Sequence, residues 1–155
     1  MKIIELEKSS EHEANGVCLI WGKEAVFNVE GDFEDAIIYK IEEKLKWIDQ
    51  NRDKIIAIFF ENESSGLDAF NEEIMEEVAQ NGYYELEEGV WIISQISREE
   101  LSHSLAVNWI HFEMVNKDIK QYYFYLNPEP DYFGGHSFFV FLNNEDEIIE
   151  TGMDG

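Results

Sequence analysis

The chain has 155 residues, 45% hydrophobic and 14% aromatic, with 34 acidic against 11 basic residues and a net charge of −23. That length and apolar content suit a single domain, residues 1–155, which can bury roughly two-thirds of the surface of its unfolded chain without metal or disulfide support. The charge excludes nucleic acid and anionic membrane surfaces as partners, because each needs a basic patch, and no apolar run approaches the ~18 residues of a membrane span.

The one cysteine, Cys18, has no partner for an internal disulfide, which fits a reducing compartment. The first residues, Met1-Lys2-Ile3-Ile4-Glu5, lack the apolar region of a secretory signal, so the expected location is the cytoplasm.

In chain order, residues 2–8 read as a short strand and Ser9 to Gly16 as a polar loop. Val17 to Trp21 and Ala25 to Glu30 form a hairpin about Gly22-Lys23-Glu24. Asp32 is a natural N-cap for a helix from Phe33 to Gln50, with Ile37, Ile38, Ile41, Leu45 and Ile48 on one face. A second helix starts at Asn51 or Arg52 and ends near Glu61. Ser64-Ser65-Gly66 reads as a loop, and a third helix covers Asp68 to Gln80, stopped by Asn81-Gly82. Val90 to Ile93 suits a strand or a buried helical turn equally.

Ser97-Arg98-Glu99-Glu100 is a capping-box pattern for a helix over 98–104. Beyond it the period turns to two. Ala106 to Val115 places Ile110, Phe112 and Met114 on one face and Trp109, His111 and Glu113 on the other, and Ile119 to Leu126 returns. After a bend holding both prolines, Phe138 to Leu142 is five apolar residues in a row, which predicts an interior strand covered on both faces. A last short strand follows at 147–150. The sum is an α+β fold: a mostly antiparallel sheet, made of an N-terminal hairpin and a C-terminal meander, with three or four helices packed on it.

No residue set compels a catalytic, metal or cofactor chemistry. The four histidines lack paired ligand spacing, and the acidic stretch Asn143 to Glu147 lacks the spacing and central glycine of a calcium loop. Asp131, Tyr132 and His136 stand at the mouth of the Phe138 strand and form the one candidate small-molecule or hydrolytic site. His136 and Ser137 are adjacent in sequence, however, so in an extended strand they point to opposite faces and cannot serve each other as base and nucleophile.

The acidic distribution is more informative. From Ile55 to Ser97 there are ten acids and no Lys or Arg. Within the third predicted helix, Glu72–Glu76 and Glu73–Glu77 are like-charge i,i+4 pairs, each costing about 0.2–0.5 kcal/mol in an isolated helix. A face needed only for solubility could have used Glu–Lys pairs instead. Glu72, Glu73, Glu76 and Glu77, with Trp91 as an apolar anchor, are therefore the candidate binding residues for a basic protein.

The hairpin Val17-Cys18-Leu19-Ile20-Trp21-Gly22, the helix end Leu45 to Asn51, the cap Ile96 to Leu101, the turn Asp131-Tyr132-Phe133-Gly134-Gly135-His136-Ser137 and the terminal Gly152 together resemble a family of small bacterial domains of unknown function. Segment 61–96 matches it least. The resemblance implies a bacterial protein of similar fold and assigns no catalytic residue. Small acidic proteins of this kind suggest, by analogy, an immunity or accessory protein.

Overall fold

The structure is a computed structural model and describes residues 2–154. Its first three strands, β1 (Lys2–Ser10), β2 (Glu13–Ile20) and β3 (Lys23–Gly31), pair antiparallel in sequence order. Ser9 to Gly16 is thus not a loop. It holds the paired ends of β1 and β2 around a turn at Glu11-His12. Its polar residues sit at the turn and on the outer face, while Ala14 and Gly16 point inward. At Gly16 a Cβ would lie 2.2 Å from the Phe27 ring, so the glycine makes room for that side chain.

The two-residue turn Trp21-Gly22 has φ of 53° and 77°, the left-handed geometry that matches strand twist. Trp21 is held there from outside the hairpin. Its backbone N–H donates to Asp49 Oδ1 at 2.7 Å and its indole N–H to the Ile48 carbonyl at 3.1 Å.

A 3₁₀ turn (Asp35–Ile37) leads into α1 (Ile38–Gln50), which buries Ile41, Leu45 and Ile48. α2 then runs unbroken from Arg52 to Asn81, 30 residues and about 45 Å. The predicted break at Ser64-Ser65-Gly66 does not occur. All three are exposed helical positions, where two serines and a glycine cost about 1–2 kcal/mol together. Apolar anchors on both sides, Phe59 and Phe60 before and Ile74 after, carry the helix through that weak turn. Gly82, at φ 83°, caps it and donates its N–H to the Val78 carbonyl at 2.8 Å.

Residues 83–96, ambiguous in sequence, form a hairpin of β4 (Tyr84–Glu87) and β5 (Val90–Ile92) separate from the main sheet. It packs on the second half of α2 through Tyr84, whose ring meets Phe70 edge to face at 5.7 Å. Asn71 fixes the exit of the hairpin by taking the Ile96 N–H at 2.7 Å and donating to the Ile96 carbonyl at 2.9 Å. α3 (Arg98–Ser104) begins where the capping pattern placed it, with Ser97 Oγ accepting from the Glu100 N–H at 3.0 Å.

β6 (Leu105–Val115), β7 (Asp118–Pro128), β8 (Ser137–Asn143) and β9 (Ile148–Asp154) form the C-terminal meander. The N-terminal strands and this meander are one sheet of seven strands in the order β1-β2-β3-β6-β7-β8-β9, joined by a parallel β3–β6 pair. The fold is α+β and mostly antiparallel, as the patterns indicate. The parallel seam was not visible in them, because it depends on a connection long enough to cross over, which the helices supply.

The helices cover one face of the sheet. Phe27, Phe112, Phe124, Leu126, Phe138 and Val140 are inaccessible to solvent there, and Phe59 of α2 meets Phe138 edge to face at 5.1 Å. A polar clamp ties α1 to the end of the meander. Tyr122 donates to Asp146 Oδ1 at 2.6 Å, and Lys44 pairs with the same oxygen at 2.8 Å. β8 is an interior strand as expected, but no second layer among the described residues covers its other face. Phe139 and Phe141 are half-buried there by neighbouring rings.

Candidate functional site

Glu72, Glu73, Glu76 and Glu77 are all exposed on the second half of α2. They form two rows about 100° apart round the helix. The Glu73–Glu77 row lies beside the hairpin, and both carboxylates add to burial in raising the pKa of the Tyr84 hydroxyl. Glu77 also borders a shallow hollow shared with Asn81, Tyr83 and Glu85. Trp91 stands on the outer side of the hairpin, 65% exposed, with its ring 6.1 Å from that of Tyr83. Ile93 beyond it is 70% exposed. The acidic row and the tryptophan, distant in sequence, are therefore joined through Tyr83.

The strand mouth gathers less. Asp131 accepts the Gly135 N–H at 2.8 Å and the Phe133 N–H at 3.2 Å, so its carboxylate closes the turn. Gly134 and Gly135 take φ of 62° and 88°, a geometry that glycine adopts without strain. His136 is exposed, and its carbonyl accepts from Asn127 Nδ2. Tyr132 turns the other way, into a largely apolar cavity of about 190 Å³ with Phe59, Leu67, Phe70, Ile96 and Phe133. Asp131 and His136 do not line that cavity, so the three residues of this candidate do not converge on one space.

The sheet face opposite the helices gathers more than the alternation of Trp109, His111 and Glu113 along β6 indicates. Trp109, His111, Tyr123, Tyr125, Phe139 and Phe141 all point outward and are half-buried by one another. Trp109 stacks on Tyr125 at 5.6 Å and on His111 at 5.6 Å, and Tyr123 stacks on Phe141 at 4.5 Å. Gly152 lies opposite Phe139, and a Cβ there would sit 2.9 Å from its ring.

Carboxylates frame the rings. Glu13, Glu30 and Glu113 are cross-strand neighbours in one row. Glu150 is paired with Phe141, and Asp154 accepts from the Tyr125 hydroxyl at 3.2 Å. Burial lowers the pKa of the His111 imidazole, with Glu30 and Glu113 opposing. His111 Nε2 lies 3.8 Å from Glu30 Oε2. Two buried side-chain atoms on this face, His111 Nδ1 and Asn127 Oδ1, have no hydrogen-bond partner.

The outward alternation of β6 is plain in the sequence. Seeing the patch also requires the register of β7 and β8 against it. The two-residue turn Asn116-Lys117 sets Val115 opposite Asp118, but a register shift between Glu113 and Met114 then moves the pairing by one residue and brings Trp109 opposite Tyr125, and no turn residue signals that shift.

Among the described residues no group of three or more His, Cys, Asp or Glu could hold a metal ion. Cys18 is fully buried in the core, and burial pushes its thiol up to about 12. No helix among the described residues is long and apolar enough to cross a membrane. No protein family, characterised protein or solved structure matches the chain.

Proposed function

We propose that this protein is a non-enzymatic, acidic interaction module, of the immunity type, that binds a basic protein. The observation that carries the proposal is the acidic arm: a helix bearing like-charge Glu pairs beside a hairpin that holds Trp91 and Tyr83 out in solvent. Carboxylates that form no ion pair among the described residues speed capture of a cationic partner, and an exposed tryptophan supplies the desolvated contact that retains it. The immunity-type reading is drawn by analogy from the chain's small size and strong acidity.

The test is the rate of association with a basic protein recovered from the native host, at low and high salt. The combined E72K, E73K, E76K and E77K variant should associate at least about tenfold more slowly at low salt. An unchanged rate would sink the proposal.

A further inference from the structure

The acidic arm is not the only surface suited to a cation. A sheet face uncovered by helices would ordinarily be polar. This one instead carries six rings or ring-like side chains that shelter only one another. Its edge is also costly. Glu13, Glu30 and Glu113 occupy neighbouring positions on three adjacent strands, an arrangement that destabilises a sheet. The fold offsets it only in part: Asn28 Nδ2 donates to Glu13 at 3.5 Å, His111 Nε2 lies 3.8 Å from Glu30, Gln121 donates to Glu113 at 2.6 Å, and the Lys120 ammonium is 3.8 Å from Glu113. Aromatic faces framed by carboxylates are complementary to a planar cation that stacks on a ring and donates from its edge.

We propose that this open face is a docking platform for arginine side chains of a basic partner. Guanidinium groups lie on the Trp109–Tyr125 and Tyr123–Phe141 stacks, with their N–H groups turned to Glu30, Glu113, Glu150 and Asp154. The proposal rests on the basic-partner reading above and gives that partner a second point of contact.

Arginine is favoured over lysine because its guanidinium is planar, weakly hydrated and able to stack and pair at once. A second copy of the chain is disfavoured as the occupant, since two faces with the same carboxylate row, each on a chain of net charge −23, would repel. Single-stranded nucleic acid would stack on the rings but meet the same carboxylates.

The experiment compares binding of a labelled oligo-arginine and an oligo-lysine of equal length to the full chain at near-physiological salt. The wild type should prefer oligo-arginine about tenfold. Tyr123→Leu with Phe141→Leu keeps apolar bulk but removes the rings, and should bring the ratio close to one. Glu30→Gln with Glu113→Gln leaves the rings intact and should lower the ratio several-fold, so a failure of the leucine variant to fold does not spare the proposal. The lysine-substituted arm variant should bind both peptides more weakly with its preference intact.

An unchanged ratio in the face variants overturns the proposal while leaving the basic-partner reading standing. Binding of neither peptide by the wild type overturns both. A solution dimer abolished by Tyr123→Leu with Phe141→Leu, or oligothymidylate binding lost in that variant, would assign the face to another occupant and overturn it as well.

Discussion

The two faces of the seven-stranded sheet are built from similar side chains and differ in what lies over them. On β7, Tyr122, Phe124 and Leu126 are inaccessible beneath the helices, while Tyr123 and Tyr125, alternating with them, are half-exposed. The inner aromatics are packed from above by another layer, as in Phe59 against Phe138. The outer ones have only lateral neighbours. Aromatic content alone therefore does not report a covered face, because large rings on adjacent strands can shelter one another.

The largest test of that difference compares Phe124→Ala with Phe141→Ala in urea unfolding. The inner substitution should cost about 3–5 kcal/mol, since it opens a cavity that the surroundings fill only in part. The outer one should cost about 1 kcal/mol, the scale of cross-strand pair contacts. Equal costs would mean that the two faces are equally packed.

Tyr122→Phe tests how the inner face is tied to α1. The hydroxyl donates to a carboxylate shared with Lys44, so its removal should cost about 1.5–3 kcal/mol. A double-mutant cycle with Asp146→Asn should assign most of that to the pair.

The smallest effect sharpens the outer face. Burial holds the His111 imidazole below its ordinary pKa despite Glu30 and Glu113. The unfolded chain therefore takes up the proton first as pH falls, so this contribution is fully present above about pH 6.5 and is lost as pH drops through the folded value. Unfolding midpoints at pH about 7.5 and 5 should diverge more for the wild type than for His111→Gln. The same divergence in both would mean that His111 is as well solvated as in the unfolded chain.

Much of this arrangement was legible because local rules and tertiary contacts agree. The Ser97 cap, the Gly82 stop and the alternation of β6 and β7 are all satisfied within a few residues of themselves. The errors fall where distant contacts decide. Ser64-Ser65-Gly66 has loop composition but lies between helical turns pinned by Phe59 and Ile74. Glu11-His12 is a turn only because β1 lies beside β2.

The candidate surfaces divide in the same way. Glu72 to Glu77 could be found by counting charge along one helix. The outer aromatic patch needs the register of three strands and the knowledge that no helix lies above it. The Asp131–His136 candidate followed from sequence proximity, whereas the turn sends Tyr132 into the apolar cavity and leaves His136 exposed.

The parallel β3–β6 seam has a consequence for the order of assembly. The three N-terminal strands and the four C-terminal strands are each joined by short connections, so each block can pair early from contacts near in sequence. The seam, in which Gly31 pairs with Met114, must close a loop of roughly eighty residues, a slow and entropically costly step. Only that closure sets Glu30 beside Glu113 and Asn28 beside His111. A nascent chain or a fragment of the meander would therefore display the rings without the full carboxylate border, and its affinity for cations would mark completion of the fold.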